Sequence, residues 1–209
     1  MFLYPRILKP SVIISQHKFL MTNIAIFASG SGSNAQKIVE YLADFPQLKV
    51  GIILTNNAQA GVIQRAEKLK IPVHIFDRTA YKSGGVLDIL KKKNIDWVIL
   101  AGFLWLIPKS FIEIFPQKII NLHPALLPEY GGKGMYGHFV HEAVVANHES
   151  ESGITIHYVN EYYDEGAIIF QAKFEILPND TALDIAAKGQ KLEHQFFPKV
   201  IVEEIQKNG

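Results

Sequence analysis

Asn121 and His123 stand two residues apart at the end of an apolar run, Lys118-Ile119-Ile120-Asn121-Leu122. In a strand, positions i and i+2 share a face, so an amide and an imidazole project side by side where such a strand ends. Pro124 fixes the exit of the chain. An acidic loop, Tyr163-Asp164-Glu165-Gly166, follows further along. A carboxylate from Asp164 beside the ring would hold the imidazole protonated. Amide donor, protonated imidazole and carboxylate are the parts of an acyl-transfer site that stabilises an oxyanion and has no covalent nucleophile of its own.

The elements that must position these groups alternate between short apolar runs and segments of helical period. Strands are expected over residues 24–28, 50–54, 73–76, 97–101 and 118–122, with helices over 33–42, 58–69, 85–93 and 109–115. Continuous apolar runs indicate strands covered on both faces, and this alternation gives an α/β fold with an open, mostly parallel, doubly wound sheet. After residue 122 the pattern changes. An irregular, glycine-rich connection leads to a helix over 136–147. Residues 154–159 and 167–176 then read as an antiparallel strand pair near the C-terminal end. Asn179 or Asp180 is expected to cap a last helix running to about Ile205, interrupted or kinked near Pro198. In open α/β sheets ligands bind outside the carboxyl ends of the strands. The turn after strand one, the segment after strand four and the end of strand five all fall on that edge.

The chain has 209 residues, 48% of them apolar and 20% charged, with net charge +1. This is a globular composition, and no general field draws nucleic acid or an anionic membrane. There is no cysteine, which excludes disulfides, thiolate catalysis and cysteine zinc sites and fits a cytoplasmic setting. No stretch approaches the ~20 apolar residues of a membrane span. Residues 1–20 carry Arg6, Lys9 and Lys18 with no acid. The preferred reading is a disordered extension or a mis-assigned start, with a single domain over 21–209; a transit peptide is the alternative.

Strand one runs into Ser29-Gly30-Ser31-Gly32-Ser33-Asn34-Ala35 and then a helix. Glycines let backbone approach a ligand, and free amides at a helix start favour an anion. The bland alternative is a tight turn with Ser33 as N-cap. A dinucleotide turn should be followed by an acid about 20 residues on, but none occurs between Asp44 and Glu67. No Gly-Lys-Ser/Thr follows either, so a phosphate monoester suits the turn best. Among eight histidines, His138, His141 and Glu142 match neither zinc-binding order, and no metal is expected. His74 and His157 lie within strands and read as satisfied sheet residues.

The segment 24–34, the run Ala101-Gly102-Phe103, the motif Asn121-Leu122-His123-Pro124-Ala125-Leu126-Leu127-Pro128, the segment 153–159 and Asp164-Glu165-Gly166 together resemble the folate-dependent formyltransferases. The resemblance covers about residues 23–205 in the same order and implies a Rossmann-like formyltransferase fold. The Ser-Gly-Ser-Gly-Ser-Asn turn points to the branch of that superfamily whose substrate carries a phosphate. It implies that the formyl group of 10-formyltetrahydrofolate, a co-substrate, passes to the amine of glycinamide ribonucleotide. Asn121, His123 and Asp164 would be catalytic, with Asp164 raising the pKa of His123. Gly32, Ser33 and Asn34 would hold the phosphate and Glu193 the ribose. Leu104, Trp105, Leu106 and Ile107 would line the folate slot, closed by Asn160, Glu161, Tyr162, Tyr163 and Asp164. A monomer or homodimer is expected, with no nucleic acid or membrane partner.

The sequence departs from the commoner pattern in three places. Trp105 stands where many members carry arginine. The stretch from Gly131 to Gly137 is long, which leaves Lys133, His138 and His141 without assigned roles. Arg78, Lys82 and Ser83 are all candidates for a folate-contacting residue. The alternatives within the superfamily are a formyltetrahydrofolate hydrolase and a sugar-nucleotide formyltransferase. A methionyl-tRNA formyltransferase would carry an RNA-binding domain after the last helix and a basic surface. Outside the superfamily the alternative is a non-catalytic nucleotide- or folate-binding module.

Overall fold

The computed structural model describes residues 21–208, and the reading of residues 1–20 lies outside them. Seven strands form one sheet in the order β3-β2-β1-β4-β5-β6-β7. They are β1 (Thr22–Phe27), β2 (Leu48–Thr55), β3 (Val73–Ile75), β4 (Trp97–Leu100), β5 (Ile119–His123), β6 (Glu151–Tyr158) and β7 (Ile168–Glu175). β1 to β5 run parallel, and β6 is antiparallel to both β5 and β7. The helices are α1 (Ser33–Leu42), α2 (Val62–Lys68), α3 (Arg78–Lys82), α4 (Gly85–Lys92), α5 (Lys109–Ile114), α6 (His138–Ala146) and α7 (Ala182–Lys207).

The period of two along each strand feeds two cores, one on each face of the sheet. Ile24 and Ile26 of β1 join one core with Ile38 of α1 and Phe197 of α7. Ala25 and Phe27 join the other with Leu90 of α4 and Phe111 of α5. β4 divides in the same way, with Trp97 and Ile99 on one side and Val98 and Leu100 on the other. On β2 the alternation slips at Gly51, because Ile24 pairs with Val50 but Ala25 with Ile52. That irregularity is why Val50 and Ile53 share a core despite their odd spacing.

Four expectations are corrected. A short helix, α3, precedes α4, started by Asp77, whose side chain accepts from the Ala80 amide at 2.8 Å. Helix α2 starts at Val62, not Ala58, after a turn closed by Ala60 N–H to Asn57 O. The cap of α7 is Thr181, in a reciprocal pair with Asp184, rather than Asn179 or Asp180. Helix α7 runs unbroken through Pro198, where buried Phe197, Val200 and Ile201 hold both sides of it against the sheet. Packing here outweighs one missing donor.

Strands β6 and β7 meet closely. A Cβ on Gly153 would lie 2.1 Å from Ala172 O and 2.7 Å from Leu126 Cδ2. Gly153→Ala is therefore expected to destabilise the fold by about 1–3 kcal/mol, as overpacking does. Urea unfolding checks this, and an unchanged midpoint would show that the two strands can part without cost.

Candidate active site

Ile120 and Leu122 face one core, so Asn121 and His123 face the other side of β5. Across the antiparallel pair, Asn121 is opposite His157 and His123 opposite Thr155. Thr155 donates to Ala125 O at 2.7 Å and accepts from Leu127 N at 3.0 Å, which fixes the chain just beyond His123. The β6–β7 connection then brings in Asp164, whose φ of 58° is left-handed. Its Oδ2 accepts from the Gly132 amide at 3.0 Å and lies 3.5 Å from His123 Nδ1. Its Oδ1 accepts from Asn121 Nδ2 at 3.3 Å and lies 3.6 Å from His157 Nε2.

His157 therefore belongs to the cluster, which the sequence reading missed. Its Nδ1 is 2.8 Å from Tyr158 O and its Nε2 is 3.0 Å from Asn121 Nδ2. A carbonyl can only accept, so Nδ1 carries a proton. The same logic makes His123 Nε2 a donor to Tyr130 O at 2.8 Å. The signal that could have found His157 is its place opposite Asn121 once the second half of the sheet is paired with β5.

The electrostatics correct one expectation. His123 is 3% exposed, and burial pushes its pKa below the ordinary value; Asp164 and the Tyr130 carbonyl pull it up and only partly offset this. Asp164 thus acts in the expected direction on His123, but burial outweighs it. For Asp164, burial pulls upward, but the His157 ring, the His123 charge and the Gly132 amide together bring its pKa below the usual carboxylate value. His141 of α6 is buried with Nδ1 unpartnered among the described residues. Burial first, and then the His123 charge, lower its pKa. Exposed His138 lies over the Phe139 ring, and Lys133 is exposed. Among the described residues, no group of three or more His, Asp or Glu is placed to share a metal ion.

At the other end of the edge, Gly32 and not Ser33 is the N-cap of α1, with φ 76° and no side-chain cap. Asn34 Nδ2 donates to Glu193 Oε2 at 2.7 Å. Burial raises the pKa of Glu193, and the Asn34 bond offsets this only in part. Gln190, one helical turn before Glu193, reaches Ser33 Oγ at 3.5 Å. The sequence reading did not single it out, although i and i+3 on a helix share a face.

A cavity of about 310 Å³ lies at the segment after β4. Leu104, Trp105, Leu106 and Ile107 line it, with Arg78 and Tyr163. The Arg78 guanidinium sits over the Trp105 ring, 4.7 Å from its centroid. Lys82 also lines this cavity, whereas Ser83 Oγ turns back to Ala80 O. Of the expected closing loop, Tyr163 meets the cavity and accepts from Leu106 N at 3.2 Å. Asn160 caps the loop internally at Tyr162 N, Glu161 pairs with Lys109 at 3.5 Å, and Tyr162 points outward. Asp164 lines a second cavity of about 460 Å³ beside Gly131 and Gly132.

Residues 22–201 match the family model described as formyl transferase. The chain is 41% identical over 184 residues to the chloroplastic phosphoribosylglycinamide formyltransferase of Vigna unguiculata, covering 85% of this chain and 59% of that protein. It is 34% identical over 188 residues to the phosphoribosylglycinamide formyltransferase of Haemophilus influenzae, covering 87% and 86%. The crystal structure of phosphoribosylglycinamide formyltransferase from Bacillus halodurans superposes with a TM-score of 0.82 at 32% identity, covering 90% and 97%. The chain thus spans less than two thirds of the plant relative and most of the bacterial ones.

His123, His141 and His194 all have pKa values below the ordinary one, burial being the largest cause in each. Below about pH 6.5 the unfolded chain binds more protons than the folded one, so stability falls as pH drops. Asp164, also lowered, adds to this only below about pH 4. The three histidines therefore lower the melting temperature between pH 7 and pH 5, Glu193 with its raised pKa acts the other way, and His141→Gln is expected to remove part of the histidine contribution. An equally steep fall in the variant would remove His141 from the protonating groups.

Proposed function

This chain belongs to the formyl transferase family, and we propose that it transfers the formyl group of 10-formyltetrahydrofolate to the amine of glycinamide ribonucleotide, releasing tetrahydrofolate. We read residues 21–209 as one formyltransferase domain. The observation that carries the reading is the cluster of Asn121, His123, His157 and Asp164 at the carboxyl edge of the sheet, with the carboxylate hydrogen-bonded to Asn121 and within 3.6 Å of both rings. The glycine-rich turn before α1 and an apolar, cation-rimmed slot support it. Relatives named for this reaction support the choice of substrates.

The substrate amine attacks the formyl carbon, a C–N bond forms, and charge develops on the formyl oxygen. The carbon–nitrogen bond to the folate then breaks. One proton passes overall from the attacking amine to the departing nitrogen. Asn121 Nδ2 and His123 Nε2 are the donors for the oxyanion. Each is engaged within the protein, with Asp164 and His157 or with Tyr130 O, so each trades that partner for the formyl oxygen. Asp164 holds Asn121 and offsets the charge on His123 once the ring is protonated. His157 fixes the Asn121 amide from the opposite strand.

The phosphate is assigned to the amides around Gly32, Ser33 and Asn34, with Gln190 beside them and Glu193 toward the ribose. The flat heterocycle of the folate is assigned to the slot lined by Leu104, Trp105, Leu106 and Ile107. Arg78, laid on Trp105, supplies the cation that the sequence does not carry at position 105. The same proposal covers a cytoplasmic location, a monomer or homodimer, no metal requirement, and no nucleic acid or membrane partner. Among the described residues no helix is long and apolar enough to cross a membrane.

His123→Ala and Asp164→Ala are each expected to lower turnover by roughly 10²–10³, as loss of one oxyanion-stabilising group does, with the circular dichroism spectrum unchanged. The folate absorbance assay, run with and without glycinamide ribonucleotide, checks both variants and the reaction itself. Formate release from the wild-type protein without the ribonucleotide would identify a hydrolase instead. Arg78→Gln should raise KM for the formyl-folate roughly tenfold and spare kcat, since it removes one charged hydrogen bond. An unchanged folate KM would place the cation elsewhere.

A further inference from the structure

A trans peptide points its C=O and its N–H in opposite directions. The direction of each amide in the turn after β1 is therefore set by whatever holds the carbonyl before it. Three successive carbonyls there are held from one segment, the connection after β2 and the start of α2. Asn57 Nδ2 donates to Ser29 O at 3.4 Å, Val62 N to Gly30 O at 3.1 Å, and Arg65 Nε to Ser31 O at 2.9 Å. The amides on the other side of those peptides are those of Gly30, Ser31 and Gly32. None of them meets an acceptor among the described residues. Successive free amides in a turn with one left-handed residue make an anion-binding concavity, and Gly32 supplies that residue with φ 76°.

The two backbones touch. A Cβ on Gly61 would lie 3.3 Å from Ser31 Cα, and one on Gly32 would lie 2.5 Å from Val62 Cγ2. Arg65 is the member of this template that carries charge and a rigid fork. While Nε binds Ser31 O, Nη1 donates to Gln36 Oε1 on α1. Gln36 is itself oriented, because its Nε2 donates to Glu40 Oε1 at 2.6 Å. The guanidinium is thus fixed at both ends, with its positive charge beside the turn.

We propose that Arg65 is the positioning residue of the phosphate site: it locks the Ser31–Gly32 peptide so that the Gly32 amide faces the anion. The proposal rests on the reading of this turn as the seat of the ribonucleotide phosphate. Without Arg65 the Ser31 carbonyl is free to turn toward the site and present an oxygen to an anion. A lysine at this position keeps the charge and one donor but loses the fork that joins Ser31 to Gln36.

The test compares wild type, Arg65→Met and Arg65→Lys as full chains. It reads KM for glycinamide ribonucleotide, KM for the formyl-folate, kcat, and the concentration of inorganic phosphate that half-saturates a thermal shift. Arg65→Met is expected to raise the ribonucleotide KM and the phosphate half-saturation roughly tenfold, the scale of one lost hydrogen bond. kcat and the folate KM should stay within about twofold, with Arg65→Lys in between. Unchanged phosphate affinity would overturn the proposal, and so would a loss shared by kcat and both KM values, which marks a merely structural residue. If Arg65→Met does not fold, Arg65→Lys decides: a selective rise in phosphate half-saturation supports the proposal and wild-type affinity overturns it. A wild-type protein that binds phosphate but does not formylate the ribonucleotide would refute the assigned reaction, with the phosphate comparison still deciding the role of Arg65.

Discussion

A slip of one residue in the pairing of β5 with β6 would turn Thr155 and His157 away from Asn121 and His123, because every side chain on a strand changes face at each step. The observed register puts Asn121 opposite His157 and His123 opposite Thr155. Ile154 and Ile156 oppose such a slip, since it would take both out of the core that also takes Ile120 and Leu122. The hydrophobic pattern of two strands thereby sets a polar cluster on the reverse face. Because β6 runs back along β5, the loop after it leaves beside Ile119 and turns back on itself to bring Asp164 to Asn121 and His123.

Two glycines let the backbone close around the carboxylate. A Cβ on Gly166 would lie 1.7 Å from Tyr158 O, and one on Gly131 would lie 2.5 Å from Leu127 Cδ2 and 3.3 Å from Asp164 Cβ. With Asp164 itself at φ 58°, the loop is held against β6 and against the 128–132 segment at once. An ionised carboxylate inside a protein must be paired and hydrogen-bonded to persist. Here the Asn121 amide of β5 and the Gly132 amide of the following segment donate to it, with the His123 and His157 rings within 3.6 Å.

Much of this was legible in the sequence, and the limits have physical causes. The continuous apolar runs of β1 to β5 suit strands that feed a core on each face, so the order of strands and helices could be read, and the bounds of α1 follow from Ser33 and Leu42. The five residues of α3 are too short for a helical period, and only Asp77 marks them. At Pro198 local chemistry said break while tertiary packing said continue. The neighbourhood of Asn121 and His123 is a strand property and needs no tertiary information. His157 entered through which strand lies beside β5, and Gln190 through which face of α7 meets the α1 turn. The direction of the His123 pKa shift depends on burial, which a motif does not display.

That last point alters how the proposed site works. An imidazolium already formed and paired with Asp164 would meet substrate and transition state with nearly the same charge. Interactions that are equal in both states do not accelerate the chemical step. In the free protein burial lowers the His123 pKa from its ordinary value, with Asp164 opposing that shift only in part. A negative charge growing on the formyl oxygen adds a second anion beside the ring and raises its proton affinity as the transition state is approached. The low dielectric that penalises the charged ring when it stands alone then strengthens its attraction to the oxyanion and to Asp164 together. In the proposed reaction the burial of His123 therefore serves the chemistry, because it reserves the full charge for the state in which there are two anions to meet it.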